Sequence, residues 1–144
     1  MQIFCPYPSP LDTARCLNLR HLNNQCNEAK VVLDAINGCK AWAHHPVVVM
    51  YIDHREWLVL YRSCLLEFMN DRLVMAEKLD RMSMIITPQF LTEEFCHNMR
   101  RRMYTKDPNH YKIFFGDLEQ SDENWYWSPS ENRIVKYCGG KRID

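Results

Sequence analysis

The sequence predicts a mainly α, compact single-domain fold of about five helices, with an extended N-terminal segment and a small C-terminal β-hairpin. Three observations predict it. Apolar residues recur at three- and four-residue steps through most of the chain, prolines crowd its beginning, and β-branched and aromatic residues alternate only near its end. A chain of 144 residues, 47% hydrophobic and 25% charged, suits one globular domain (residues 1–144) and excludes disordered and fibrous classes.

Pro6, Pro8 and Pro10 keep the first segment extended, while Ile3, Phe4 and Cys5 are apolar enough to pack it down. Ser9-Pro10-Leu11-Asp12 then reads as a helix start, with Ser9 as N-cap, and the helix should run to about Ile36 and stop at Asn37-Gly38. A second helix is expected from Pro46 to about Met69, since Val47, Met50, Tyr51, His54, Trp57, Leu58, Tyr61, Leu65 and Phe68 share one stripe. A short third covers Arg72–Met82. Thr92-Glu93-Glu94 opens a fourth and Asp107-Pro108 a fifth, running through Tyr111 and Phe114. Trp125-Tyr126-Trp127, a polar turn and Ile134–Cys138 form the hairpin, which Ile3–Cys5 could join; Gly139-Gly140 then releases a short basic tail.

Composition narrows function before any motif does. Four glycines argue against a glycine-rich phosphate cradle, and no apolar run approaches the roughly 20 residues of a membrane helix. The opening lacks the basic and long apolar regions of a signal peptide, so a cytoplasmic protein with no membrane partner is expected. Lys plus Arg and Asp plus Glu are 18 each, which disfavours a broad phosphate footprint but hides a local one: Arg100, Arg101, Arg102, Lys106 and Lys112 fall together. The seven cysteines are odd in number and form no C-x-x-C pair, so they read as reduced thiols packed in the core.

The sharpest anomaly sits in the first helix. Ala14, Leu22, Ala29, Val32, Leu33 and Ile36 define an apolar arc, and His21, Gln25 and Glu28 project within it at i, i+4 and i+7. A carboxylate among core positions costs several kcal/mol unless paired or hydrogen-bonded. Glu28 therefore either accepts bonds from His21, Gln25 or backbone, or lines a cleft where it acts on a ligand. His54 repeats the pattern in the second helix, and His44-His45-Pro46 stands at that helix's start. The histidines have no H-x-x-x-H or H-E-x-x-H spacing, so no metal is expected. Arg100–Arg102 reads either as a solvated helix end or, with Lys106 and Lys112, as phosphate contacts beside Tyr104, His110 and Tyr111, which could stack on bases.

Four segments occur in order along the chain: Met1-Gln2-Ile3-Phe4-Cys5-Pro6-Tyr7-Pro8, Leu17–Glu28, Trp42–Tyr51 and Lys106-Asp107-Pro108-Asn109-His110-Tyr111. In these the chain resembles the pyrimidine-dimer DNA glycosylase family, in particular its small phage and bacterial branch. The resemblance implies a compact, mainly helical fold and a DNA glycosylase, with an abasic-site (AP) lyase step, acting on damaged or modified bases in DNA repair or phage DNA metabolism. It implies an N-terminal amine that attacks the sugar C1′ and a helix-borne glutamate that assists, with no cofactor and a monomer sufficing. Here the amine is that of Met1, because bulky Gln2 hinders removal of the methionine, whereas the best-understood members expose a small residue. An α-amino group, with a pKa near ~7.7–8.0, is far more often neutral at pH 7 than a lysine.

The catalytic pair implied is thus Met1 and Glu28. Arg20, His21 and Gln25 would line the cleft, His45 and His54 would face it, and Arg101, Arg102 and Lys106 would hold phosphates beside His110 and Tyr111. The branch motif typically reads Leu-Asp-x-Arg-Arg-Leu-x-Lys-Gln; here Asn18 replaces the acid, and His21 and Asn24 replace basic residues. Fewer cations on that face leave open a second class, a non-catalytic binder of a nucleotide or phosphorylated metabolite. A third is a helical interaction module with no pocket.

Overall fold

Proline, capping side chains and two helix breaks set the architecture of the computed structural model, which describes residues 1–82 and 84–144. Residues 1–9 lie without regular structure on the helices that follow. Helix α1 spans Pro10–Cys16, with Pro10 in its first turn and the Ser9 hydroxyl accepting the Asp12 amide. The single helix expected from Pro10 to Ile36 is two. Leu17 and Asn18 are extended, and the Asn18 carboxamide accepts the His21 amide at 2.7 Å, starting α2 (Leu19–Ile36) afresh.

The expected Pro46–Met69 helix is interrupted in the same way. Helix α3 (Pro46–Tyr51) passes through a 3₁₀ turn at Ile52–His54 into α4 (Arg55–Met69). Helix α5 spans Leu73–Asp80, α6 Glu93–Lys106 with Thr92 as its cap, and α7 Pro108–Phe115 with Asp107 as its cap. The fold is therefore mainly α, as the periodicity predicts, with more and shorter helices.

Strands β1 (Glu123–Ser128) and β2 (Arg133–Cys138) form the expected antiparallel hairpin, with Tyr126 opposite Val135. The tail is not released. Gly139 and Gly140, at φ 58° and 78°, turn the chain back, a conformation that non-glycine residues adopt at a cost. A two-residue β3 (Lys141–Arg142) then pairs with β2. Asp144 secures it, accepting from Arg133, Arg142 and the Lys136 amide. Ile3–Cys5 does not join this sheet, whose order is β1-β2-β3.

Those three residues are instead buried in the main core with Leu22, Val32, Val47, Leu58, Leu65, Phe90 and Met103. Trp57 stacks between Tyr51 and Tyr61 with ring centroids 5.9 and 5.4 Å away. Each such side chain contributes about 1.5–3 kcal/mol on burial, and together they fix α2, α3 and α4 against one another. Cys5, Cys16, Cys26, Cys64 and Cys96 are buried free thiols, whereas Cys39 and Cys138 are exposed, contrary to a core role for all seven. Among the described residues no helix is long and apolar enough to cross a membrane.

Candidate active site

The polar residue at the centre of the α2 stripe holds the N-terminal segment. Gln25 Oε1 accepts the Phe4 amide at 2.7 Å, and its Nε2 donates to the Gln2 carbonyl at 3.1 Å. Its carboxamide thus satisfies two backbone groups of the irregular N-terminal segment, as a neighbouring strand would. From α4 the Tyr61 hydroxyl donates to the Phe4 carbonyl at 2.8 Å, and from α6 Arg100 Nη1 donates to the Pro6 carbonyl at 2.7 Å while its guanidinium covers the Tyr7 ring. Three helices therefore fix residues 2–7, and Met1 is delivered to one place.

That place is a cleft of about 420 Å³. Met1, Gln2 and Phe4 form one rim, and Arg20, His21, Asn24, Gln25 and Glu28 of α2 form its floor. Arg102 and Lys106 come from α6, and Asn124 and Tyr126 from β1. Glu28, half-buried, has no ion-pair partner among the described residues, and neither do Arg20 and Lys106. Among the described residues Arg102 pairs only with the exposed Asp122 at 3.9 Å, and it donates to the Ser121 carbonyl at 3.3 Å. Burial, then Arg102 and Arg20, pull the Lys106 ammonium below the usual lysine range, so these three cations crowd one another. A chain of zero net charge thus carries a locally positive cleft with one carboxylate in it, an arrangement that attracts anions.

His21 is oriented from behind. Its Nδ1 lies 2.6 Å from the Tyr111 hydroxyl, whose ring stacks on the imidazole at 9° and 5.6 Å. Burial, then the neighbouring Arg20 and Lys106, hold His21 below the usual histidine range, so it is neutral at pH 7. Buried thiols offer no competing nucleophile: burial pushes Cys16 up to about 12 and Cys96 to about 11, far from thiolate at neutral pH.

The structure does not bring every expected residue to the cleft. His54 faces away, setting its ring edge-on to Phe90 at 5.5 Å, because the 3₁₀ turn at Ile52–His54 rotates it off the α4 stripe. His45 caps α3 through Nδ1 and stands behind Tyr126 at 6.0 Å; burial and then the charge of the Met1 amine hold it below the usual histidine range. Arg101 is spent on the Glu119 and Gln120 carbonyls, at 3.2 and 3.1 Å. His110 donates from Nε2 to the Cys16 carbonyl at 2.8 Å, and Tyr111 is buried, so neither is placed to stack on a base. Glu28 accepts from neither His21 nor Gln25, whose own partners are Tyr111 and the backbone of Gln2 and Phe4. Asn124 and Tyr126 were not among the expected residues; their i, i+2 spacing on β1 is the signal that sets both on one sheet face. Among the described residues no group of three or more His, Cys, Asp or Glu is clustered to hold a metal ion.

Comparison with curated proteins and with solved structures gives no match. Comparison with protein families does. A family model described as pyrimidine dimer DNA glycosylase matches residues 1–81, more than half of the 144. The match contains the whole N-terminal and α2 side of the cleft, from Met1 to Glu28, while Arg102, Lys106, Asn124 and Tyr126 lie beyond it. By that match the chain belongs to the pyrimidine dimer DNA glycosylase family.

Proposed function

We propose that the protein is a DNA glycosylase, with an AP-lyase step, acting on pyrimidine dimers or related damaged bases. The observation that carries this reading is the convergence of Met1 and Glu28 on one cation-rimmed cleft. The Met1 nitrogen lone pair forms a bond to the sugar C1′ as the C1′–N bond to the base breaks, and the departing base takes the electron pair and a proton. The Glu28 carboxylate stabilises the positive charge that develops at the sugar. Opening of the sugar ring leaves an imine between residue 1 and C1′. Loss of a C2′ proton then expels the 3′ phosphate oxygen, which is β-elimination. Arg20, Arg102 and Lys106 hold the flanking phosphates, and the target nucleotide leaves its stack to reach the cleft. Tyr126, largely buried, closes the cleft on the β1 side.

One observation favours the second class, a binder of a nucleotide or phosphorylated metabolite: Arg100 and Arg101 are turned onto the chain's own carbonyls and are unavailable to a duplex. Excision of a cyclobutane dimer from a duplex, measured with salt-dependent duplex affinity, separates the two. Dimer excision with affinity that falls steeply with salt supports the glycosylase. Nucleotide binding that salt leaves unchanged, with no duplex affinity, supports the binder.

A further inference from the structure

Two groups outside the proposed chemistry, the Asn18 amide and the Tyr111 hydroxyl, line up behind a third, His21, which lines the cleft. The Asn18 amide, at the break between α1 and α2, donates to the Tyr111 hydroxyl at 3.4 Å, and that hydroxyl lies 2.6 Å from His21 Nδ1. A phenolic oxygen that accepts from a backbone N–H still has one proton to place, and His21 Nδ1 is the acceptor within reach. Burial raises the Tyr111 phenol well above its usual range, so that proton stays on it. The imidazole accepts at Nδ1 and therefore carries its own proton at Nε2. His21 Nε2 has no hydrogen-bond partner among the described residues, and His21, only 4% exposed, lines the cleft.

Resting on the glycosylase reading, we propose that Tyr111 is a positioning residue that holds His21 as a neutral donor, its Nε2–H presented in the cleft to an oxygen acceptor of the bound nucleotide. Glu28 sits seven residues further along the same helix, roughly 10 Å by the rise of α2. Donor and carboxylate are thus spaced to address different parts of one nucleotide. Stacking on Tyr111 and the edge contact with Phe4, 5.3 Å between centroids, fix the plane of the ring, and the Tyr111 hydroxyl at Nδ1 fixes which edge faces it. A charged imidazolium would meet Arg20 on its own helix, Arg102 and Lys106 on α6, His110 on α7 and the Met1 amine at the rim, with Asp107 and Glu28 opposing them. Neutral His21 donates without adding to that crowding.

The test begins with the unmodified protein. Long-range proton–nitrogen correlation spectra of His21 between pH 5.5 and 8 should show one neutral tautomer protonated at Nε2; a ring protonated at Nδ1 overturns the proposal whether or not any DNA is cleaved. In Tyr111→Phe, which keeps the stacked ring, the His21 titration midpoint should rise. Base release should then fall more at pH 6 than at pH 8, a split that a purely structural loss does not produce. An unchanged midpoint overturns the proposal. His21→Ala identifies the acceptor. Weaker capture of a duplex carrying a tetrahydrofuran abasic analogue places the donor on a phosphate. Unchanged capture with about 10²-fold slower base release places it on the departing base. No change in either overturns the proposal. If the unmodified protein releases no base, the glycosylase reading fails while the spectra still decide the state of His21.

Discussion

Gln25 and Phe4 are joined by a 2.7 Å bond in which a helix side chain takes the place of a neighbouring strand for the chain's first residues. The same carboxamide donates to Gln2, so both ends of its dipole are used and the residue is buried without an orphaned group. A glutamine in an apolar stripe thus has a structural reason that places a functional one, because Met1 is positioned only if this segment stays down.

Gln25→Ala should therefore act twice. It leaves the Phe4 amide without an acceptor in a buried setting, which costs about 1–3 kcal/mol of stability in a denaturant titration. It should also slow base release more than the stability loss alone explains at temperatures where the variant remains folded, since Met1 loses its fixed approach.

Glu28→Gln should behave in the opposite way. Glu28 is half-buried and makes no ion pair among the described residues, so stability should change by less than about 0.5 kcal/mol. Single-turnover base release should fall by about 10²-fold or more, as expected when a group stabilising developing charge is removed. Thermal melting together with the excision rate checks both halves.

Three basic residues of α6 should separate. Lys106→Gln and Arg102→Gln each remove a cleft cation and should each lower the slope of log affinity against log salt by about one, if each meets one phosphate. Arg101→Gln should leave that slope alone and lower stability instead, because its bonds go to the Glu119 and Gln120 carbonyls. Duplex titrations at several salt concentrations distinguish them.

Stability should fall as pH drops from 7 towards 5. Burial lowers His21, His45 and His54 below the ordinary histidine value, so near pH 6 the unfolded chain binds more protons than the folded one. Stability from these groups is complete above the unfolded value of about 6.5 and is lost as pH falls through their folded values. The paired Glu131 and Asp144 carboxyls are held below their usual range and contribute at more acid pH, leaving this window to the histidines. Urea midpoints at pH 7, 6 and 5 test the sign, and His21→Asn should flatten the dependence.

What was legible in the sequence was whatever local chemistry dictates. The caps at Ser9 and Thr92, the proline starts at Pro10, Pro46 and Pro108 and the alternation of the hairpin all appear where residue types place them. The breaks at Asn18 and Ile52–His54 were not legible, because each side of the break continues the same apolar period. Asn18 is fixed partly by the Tyr111 hydroxyl and the Asp107 carboxylate, partners on the α6–α7 side that no local window contains. The misplacement of His54 follows directly from the hidden turn. In the cleft, His21, Gln25 and Glu28 were visible as polar intruders on an apolar arc, whereas Asn24 on the same helix was not. Arg101 and Arg102 point about 100° apart on α6, and which of the two meets the cleft depends on where residues 119–121 pack, which no local window contains.

The decisive measurement is borohydride trapping of the protein on oligonucleotides that carry an abasic site or a cyclobutane dimer, followed by intact-mass and peptide mapping. A covalent adduct on the amine of Met1, formed in the unmodified protein and reduced in Gln25→Ala, is the expected result. No adduct under conditions where base release proceeds, or an adduct mapped to Lys106 or another lysine, would contradict a nucleophile at residue 1.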